Sequence, residues 1–176
     1  MIRRLIRFTA AALLLLLAVA AWRIVNAPGP APVLPPLTEK IDLIEIDKSD
    51  RRMTVFRDGV ALRSYDIALG FSPAGDKAQE GDGRTPEGRF RIDRRNHNSK
   101  FHLSLGLDYP HKEDIDHAVA YGFSPGGDIF IHGQPNWFPG QLMRGDWTEG
   151  CIAVSNAEME EIWRVANLGT EVVIRP

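Results

Sequence analysis

One cysteine in 176 residues leaves the chain with no internal disulfide. Its thiol is therefore reactive, paired with another molecule or simply buried. No glycine-rich stretch ends in Gly-Lys-Ser/Thr, which excludes a phosphate loop. No His-Glu-x-x-His pair occurs. His97, His102, His111 and His117 are scattered without the tight spacing of a zinc site, so they read as surface or hydrogen-bonding residues and no metal is expected. Positive charge is not in excess either: 21 basic residues stand against 23 acidic ones. Four of those arginines precede Ala27, in a stretch without acids, leaving 17 basic against 23 acidic residues in the remainder. That balance argues against nucleic acid as a partner, which calls for a basic stripe. No internal repeat is visible, and 44% hydrophobic with 25% charged residues is an ordinary globular composition.

Long apolar runs are equally scarce. Phe8 to Trp22 is the one example, 15 residues long, short of the ~20 that cross a bilayer comfortably. It follows Arg3, Arg4 and Arg7, and Ala18-Val19-Ala20 offers an A-x-A-like cleavage site. Residues 1–25 thus read as a signal peptide. If Arg23 snorkels and Ile24 and Val25 extend the span, they read instead as an uncleaved N-terminal membrane anchor. Either reading implies export to the periplasm or cell envelope, with membrane contact only through this segment. Residues 26–38 are a linker: five prolines and a glycine within Asn26 to Pro36 form neither a helix nor a central strand. Residues 39–176 remain as a single domain.

The first half of that domain is patterned as strands. Ile41 to Leu43 and Ile44 to Ile46 alternate in two short registers, Met53 to Phe56 follows, and Asp58-Gly59 turns into Val60 to Leu69, predicting a β-meander. After the glycine-rich excursion Gly70 to Gly88, Phe90 to Ile92 and Phe101 to Leu105 supply further strands. Glu113 to Tyr121 reads as a short helix stopped by Gly122, and Asp128 to Ile131 as a strand after Gly126-Gly127. Ser155 and Glu158 form a capping box. Met159, Ile162, Trp163 and Ala166 share one face of the helix that follows. Thr170 to Ile174 is a last, central strand.

Chemistry concentrates between Ile129 and Val154. Ile129-Phe130-Ile131-His132-Gly133 brings a histidine to the end of an apolar strand, and Thr148-Glu149-Gly150-Cys151 places the cysteine in a turn 19 positions later. A cysteine attacks a carbonyl only as thiolate, so a nucleophilic Cys151 needs an imidazole such as His132 to take its proton. Gly150 lets the backbone approach a substrate. Amides near Gly150 and Cys151, with Thr148, can face a developing oxyanion. Most lone cysteines pack as small hydrophobes, but this one follows glycine in a polar turn. Trp137, Phe138 and Trp147 bracket the intervening loop and read as core packing or a lid, ahead of direct substrate stacking.

The arrangement of His132, 15 intervening residues that begin with Gly133, then Thr148, one residue, Gly-Cys and an apolar residue resembles the signature of the L,D-transpeptidase catalytic domain. Those enzymes act on the peptide stems of bacterial cell walls. Gly83-Arg84-Thr85-Pro86-Glu87-Gly88-Arg89-Phe90 is similar to the Thr-Pro-x-Gly-aromatic segment of that family, and the resemblance runs from Ile41 to Arg175. It implies a mostly β fold, a mixed sheet of sandwich or barrel-like form with one or two short helices. It also implies Cys151 as nucleophile, His132 as base, the Gly133 carbonyl as the group that orients the ring, and no cofactor. In one respect the chain departs from the family. Most members carry, two positions after the cysteine, an Arg credited with binding the donor peptide, and this chain has Ala153. Ala153 followed by Val154-Ser155-Asn156 looks more like a subgroup that includes amidases releasing a lipoprotein from peptidoglycan. Arg144 is a candidate to bind the substrate carboxylate instead, bidentately, and a solvated surface role is the alternative. The implied reaction is acyl transfer from a stem peptide through a Cys151 thioester to an amine acceptor. A hydrolase on the same scaffold and a non-catalytic wall-binding module are the competing readings.

Overall fold

Alternation sets the frame. In β1 (Leu43–Asp47) the side chains of Ile44 and Ile46 are fully buried while Leu43, Glu45 and Asp47 lie on the other face. β2 (Arg52–Arg57) buries Met53 and Val55 in the same way, and β3 (Val60–Asp66) returns from it. The hairpin between them turns at Asp58-Gly59, both with positive φ (50° and 76°), the geometry that matches the twist of paired strands. The three strands form the expected antiparallel meander. Of the two registers at residues 41–46, the strand takes the one that buries Ile44 and Ile46; Ile41 is buried ahead of it.

This computed structural model describes residues 15–19, 22 and 35–176 and separates into two units, Met1–Pro35 and Pro36–Pro176. In the first unit, residues 15–19 are helical. The expected export segment falls mostly, and the linker through residue 34 wholly, outside the described residues. No helix among the described residues is long and apolar enough to cross a membrane.

The second unit is mostly β, with an eight-stranded mixed sheet in the order β3-β2-β1-β8-β4-β5-β6-β7. β8 (Glu171–Arg175) is central, parallel to β1 and antiparallel to β4 (Gly88–Ser99), which explains its run of buried Val172, Val173 and Ile174. β4 pairs with β8 along Gly88–Arg91 and with β5 (His102–Leu107) beyond Ile92, so one 12-residue strand joins both halves of the sheet. Only Phe90 to Ile92 was expected as a strand there. The polar residues from Asp93 to Asn98 carry no hydrophobic signal, and it is backbone pairing with β5 that keeps them extended.

β6 (Phe130–His132) and β7 (Ile152–Ala153) end the order as a parallel pair. The segment after β3 reaches that far edge: Ala68 N donates to Ala153 O (2.9 Å) and Ala153 N to Ala68 O (2.8 Å). The sheet thereby closes on itself, giving the barrel-like form.

The same unit carries two helices. α1 (Lys112–Ala120) begins with His111 N donating to Asp114 Oδ2. α2 (Asn156–Val165) begins with the expected capping box, Ser155 N donating to Glu158 Oε2 (2.9 Å) and Glu158 N to Ser155 Oγ (3.3 Å). Met159, Ile162 and Ala166 are buried as the pattern predicted, whereas Trp163 is half-buried with the Arg95 guanidinium 3.9 Å from its ring centre.

α2 also buries a carboxylate. Glu161 pairs with Arg63 and accepts hydrogen bonds from Tyr65 Oη (3.0 Å) and Leu37 N (3.0 Å). Burial pushes its carboxyl up, but the Leu37 amide, Arg63 and Tyr65 together hold it below the usual range. A depressed folded-state pKa stabilises fully above the unfolded value of 4.5 and is lost as pH falls through the lower folded value. Replacing Glu161→Ala is expected to cost about 3 to 5 kcal/mol at pH 7, because it removes the carboxylate paired with the buried Arg63 guanidinium. In thermal melts the gap to wild type should narrow as the pH drops below 4.5; a gap independent of pH would rule out the ionised carboxylate as its source.

Candidate active site

His132 closes β6, and both neighbouring strands fix its backbone. Gly133 N donates to Leu103 O (3.1 Å) on the β5 side, and Val154 N donates to His132 O (3.0 Å) on the β7 side. The side chain is 3% exposed. Its Nδ1 lies 2.7 Å from Gly133 O. A carbonyl only accepts, so Nδ1 carries the proton and Nε2 keeps its lone pair. The ring packs against both Phe101 (4.6 Å between centroids) and Trp147 (5.8 Å), which also meet each other at 6.1 Å. Burial holds its pKa below the ordinary histidine value against the opposing pull of the Gly133 carbonyl. At neutral pH this is a neutral imidazole with a fixed tautomer, poised to accept a proton.

The cysteine stands at the head of β7, partly exposed. Thr148 Oγ1 donates to Cys151 O (2.7 Å) and accepts from Gly150 N (3.2 Å), stapling the turn. The Thr148 hydroxyl and the Gly150 N–H are thus occupied in holding the loop. Gly150 has φ 132°, and a Cβ there would lie 2.7 Å from Arg84 O, so this position takes only glycine without displacing its neighbour. The thiol Sγ donates to Asp128 O at 3.4 Å. Asp128 itself holds φ 54°, a left-handed conformation uncommon outside glycine. Burial pushes the Cys151 thiol up to about 11, opposed by the Phe130 amide and reinforced by the charges of Asp128 and Glu149. Unliganded, it is a thiol and not a thiolate.

His132 and Cys151 line one cavity of about 390 Å³, whose other walls include Ser99, Lys100, Phe101 and Ser104. A second cavity, about 590 Å³, meets it at Cys151 and is lined by Phe71, Lys77, Glu80, Asp128 and Glu149. Arg144 is exposed and is not among the residues lining either cavity. Its neighbour Asp146 is structural: it accepts from Leu69 N (2.9 Å) and pairs with Arg51 (2.8 Å). No group of His, Cys, Asp or Glu among the described residues is arranged to hold a metal ion. His102 hydrogen-bonds Glu160 (2.9 Å) and His111 pairs with Asp108 (3.2 Å), as expected of surface histidines.

Ala153 is 0% exposed, in register with His132 on one side and bonded to Ala68 on the other. An arginine side chain there would have to displace packed neighbours. Core packing describes Trp147, against His132 and Phe101, but not Trp137, which is 79% exposed. Two buried lysines escaped sequence reasoning, because lysine is ordinarily a surface residue. Lys48 Nζ donates to Gly75 O (2.6 Å), Thr85 O (2.9 Å) and Glu87 Oε1 (2.8 Å). Lys77 Nζ donates to Gln79 O (3.0 Å) and Asp82 Oδ1 (2.8 Å). Both pin the 70–88 loop that abuts the Gly150 turn through Arg84 O. Thr85 of the Thr-Pro segment adds its hydroxyl, accepting from Gly70 N (3.2 Å).

The sequence matches the YkuD family, the L,D-transpeptidase catalytic domain, over residues 41–174. The chain belongs to that family. No curated protein matches it. Among solved structures, it is similar to Pgp2, the helical cell shape determining protein of Campylobacter jejuni, at 27% identity and TM-score 0.60, over 78% of this chain and 48% of that one. Bd1075 of Bdellovibrio bacteriovorus is 24% identical with TM-score 0.54, over 81% of this chain and 53% of that one. An L,D-transpeptidase of Xylanimonas cellulosilytica is 19% identical with TM-score 0.51, over 81% and 64%. The last two likenesses concern the fold alone. The chain spans between about half and two thirds of the length of these proteins.

A protonated resting thiol has a measurable consequence. Alkylation of Cys151 by iodoacetamide should climb about tenfold per pH unit from neutrality upward, following the thiolate fraction, toward a midpoint near 11. A plateau already reached at pH 7 would mean a preformed thiolate–imidazolium pair and contradict the burial argument.

Proposed function

We propose that the domain is a peptidoglycan-modifying cysteine acyltransferase, an L,D-transpeptidase with Cys151 as nucleophile and His132 as base. The observation that carries this reading is the Nδ1 contact to Gly133 O, which reserves Nε2 for the cavity that Cys151 shares. His132 Nε2 takes the thiol proton as Sγ attacks the carbonyl of the diamino acid in a stem peptide. The oxyanion is met by the Cys151 N–H, since the Gly150 N–H is already held by Thr148. One such donor contributes about 3 to 4 kcal/mol in comparable hydrolases. Collapse breaks the amide C–N bond, the leaving D-alanine takes the proton from His132, and an acyl thioester remains. An acceptor amine then attacks the thioester, gives its proton to His132, and the thiol is restored.

A second reading is favoured by Ala153. With no arginine beside the nucleophile to hold the donor peptide, water becomes the acceptor, and the enzyme hydrolyses diamino acid bonds or releases wall-bound lipoprotein. In the transferase reading the substrate carboxylate needs another partner; Arg144, exposed and outside both cavities, meets it only if the bound peptide extends over the surface. The intact pair of Cys151 and His132 speaks against a mere wall-binding module, which needs neither. We place the domain in the periplasm or cell envelope, carried on its N-terminal segment and proline-rich tether. The likeness to a protein named for determining helical cell shape supports a role in shaping the wall.

Mass spectrometry of wall material, some of it bearing bound lipoprotein, decides between the readings after incubation with the protein and with Cys151→Ala. New links between diamino acid residues, absent with the variant, are the expected outcome for a transpeptidase. Loss of such links or release of lipoprotein establishes the hydrolase. Identical products from both proteins would refute catalysis by Cys151.

A further inference from the structure

Trp137 is the most exposed of the large apolar side chains in the domain, at 79%, and its exposure is imposed by a tightly held loop. Gln134, 0% exposed, donates from Nε2 to Val154 O (2.6 Å) and from its backbone to Asn156 Oδ1 (2.7 Å), and accepts from Met143 N (3.1 Å). Asn136 N donates to Lys100 O (3.0 Å), Asn136 Nδ2 to Ser99 O (3.1 Å), and Asn136 Oδ1 accepts from His102 N (2.9 Å). Phe138 N closes the turn on Pro135 O (2.8 Å), and the Phe138 ring meets the indole edge-on at 5.9 Å. A mobile loop would let the indole fold down onto apolar surface, which is worth a great deal for a side chain that size. Here the hydrogen bonds of both neighbouring residues hold it in solvent.

Those bonds also say where it stands. Ser99 and Lys100, which Asn136 grips, line the cavity of His132 and Cys151, and the same wall continues through Asn96 and Asn98. The turn that carries the exposed indole is thus anchored to a rim of amide, hydroxyl and ammonium groups. A flat apolar face beside fixed polar groups suits a ligand with one C–H face and a polar edge. A pyranose ring has that form: its axial hydrogens stack on an indole, and its hydroxyl and acetamido groups need donors and acceptors.

We propose that Trp137, with Asn96, Asn98 and Lys100, is a subsite for the glycan strand of the wall, a β-linked N-acetylhexosamine polymer, from which the stem peptide reaches down to Cys151. The proposal rests on the acyl-transfer reading for its substrate, and it assigns to Trp137 a contact with sugar instead of with the peptide. The polar character of this rim, two amides and one ammonium, fits a saccharide better than a membrane, whose apolar interior has no partners for three polar side chains.

The test uses the full chain carrying Cys151→Ala, titrated with peptide-free wall glycan strands and with N-acetylglucosamine tetramer, binding being followed by isothermal titration calorimetry. Trp137→Ala should weaken binding by about tenfold or more, as truncation of an aromatic anchor does, and Trp137→Phe should recover part of it. In the Cys151-intact protein, Trp137→Ala should raise KM for glycan-linked stems by about tenfold with kcat unchanged, and leave free stem peptides unaffected. Glycan binding that is indifferent to Trp137→Ala overturns the proposal. So does loss of binding to anionic phospholipid vesicles in Trp137→Ala with glycan binding intact. If the Cys151→Ala protein proved fully active, the acyl-transfer reading would fail, while the glycan titration would still decide the subsite independently.

Discussion

The backbone pairing of Ala153 is the constraint on which the site depends. Its N–H and C=O are both exchanged with Ala68, while its strand runs in register with β6 so that Ala153 lies beside His132. These bonds tie the two ends of the strand order together and bring a cysteine, a histidine and the 67–71 segment to one place from three distant parts of the chain. The side chains at 68 and 153, where the strands close, are both buried. Ala153 is thus part of the closure through its backbone, and its methyl side chain leaves no guanidinium at this place.

Once closed, the sheet sets the electrostatics. Burial disfavours charge on both His132 and Cys151, lowering the proton affinity of one and raising that of the other. The pair therefore rests uncharged, with the thiol turned to Asp128 O and the imidazole tautomer fixed by Gly133 O. In the proposed mechanism, proton transfer between them waits for a substrate carbonyl to receive the electrons. Buried lysines hold the glycine-rich 70–88 loop against the turn, so the geometry around Cys151 relies on residues far from it in sequence.

Local physics made much of this legible. The meander, its Asp58-Gly59 turn, the capping box at Ser155 and the central apolar strand β8 all follow from patterns a few residues long. The second half of β4 was hidden because its residues are polar, and β7 because two residues carry no periodicity. Long-range pairing creates both. At the site, the spacing of His132 and Cys151 pointed to residues that line one cavity. The left-handed Asp128 carbonyl facing the thiol, and the buried Lys48 and Lys77, left no such mark. For Trp137 the core-packing half of the expectation does not hold, since neighbouring hydrogen bonds and not apolar burial decide where it stands.

The account turns on an acyl group carried by Cys151. Its most direct test is the intact mass of the protein quenched during turnover of a tetrapeptide stem. The predicted result is an adduct equal to the stem less its terminal D-alanine, mapped to Cys151 and strongly diminished in His132→Ala. Turnover with no adduct under any quench, or an adduct that forms equally well without His132, would contradict it.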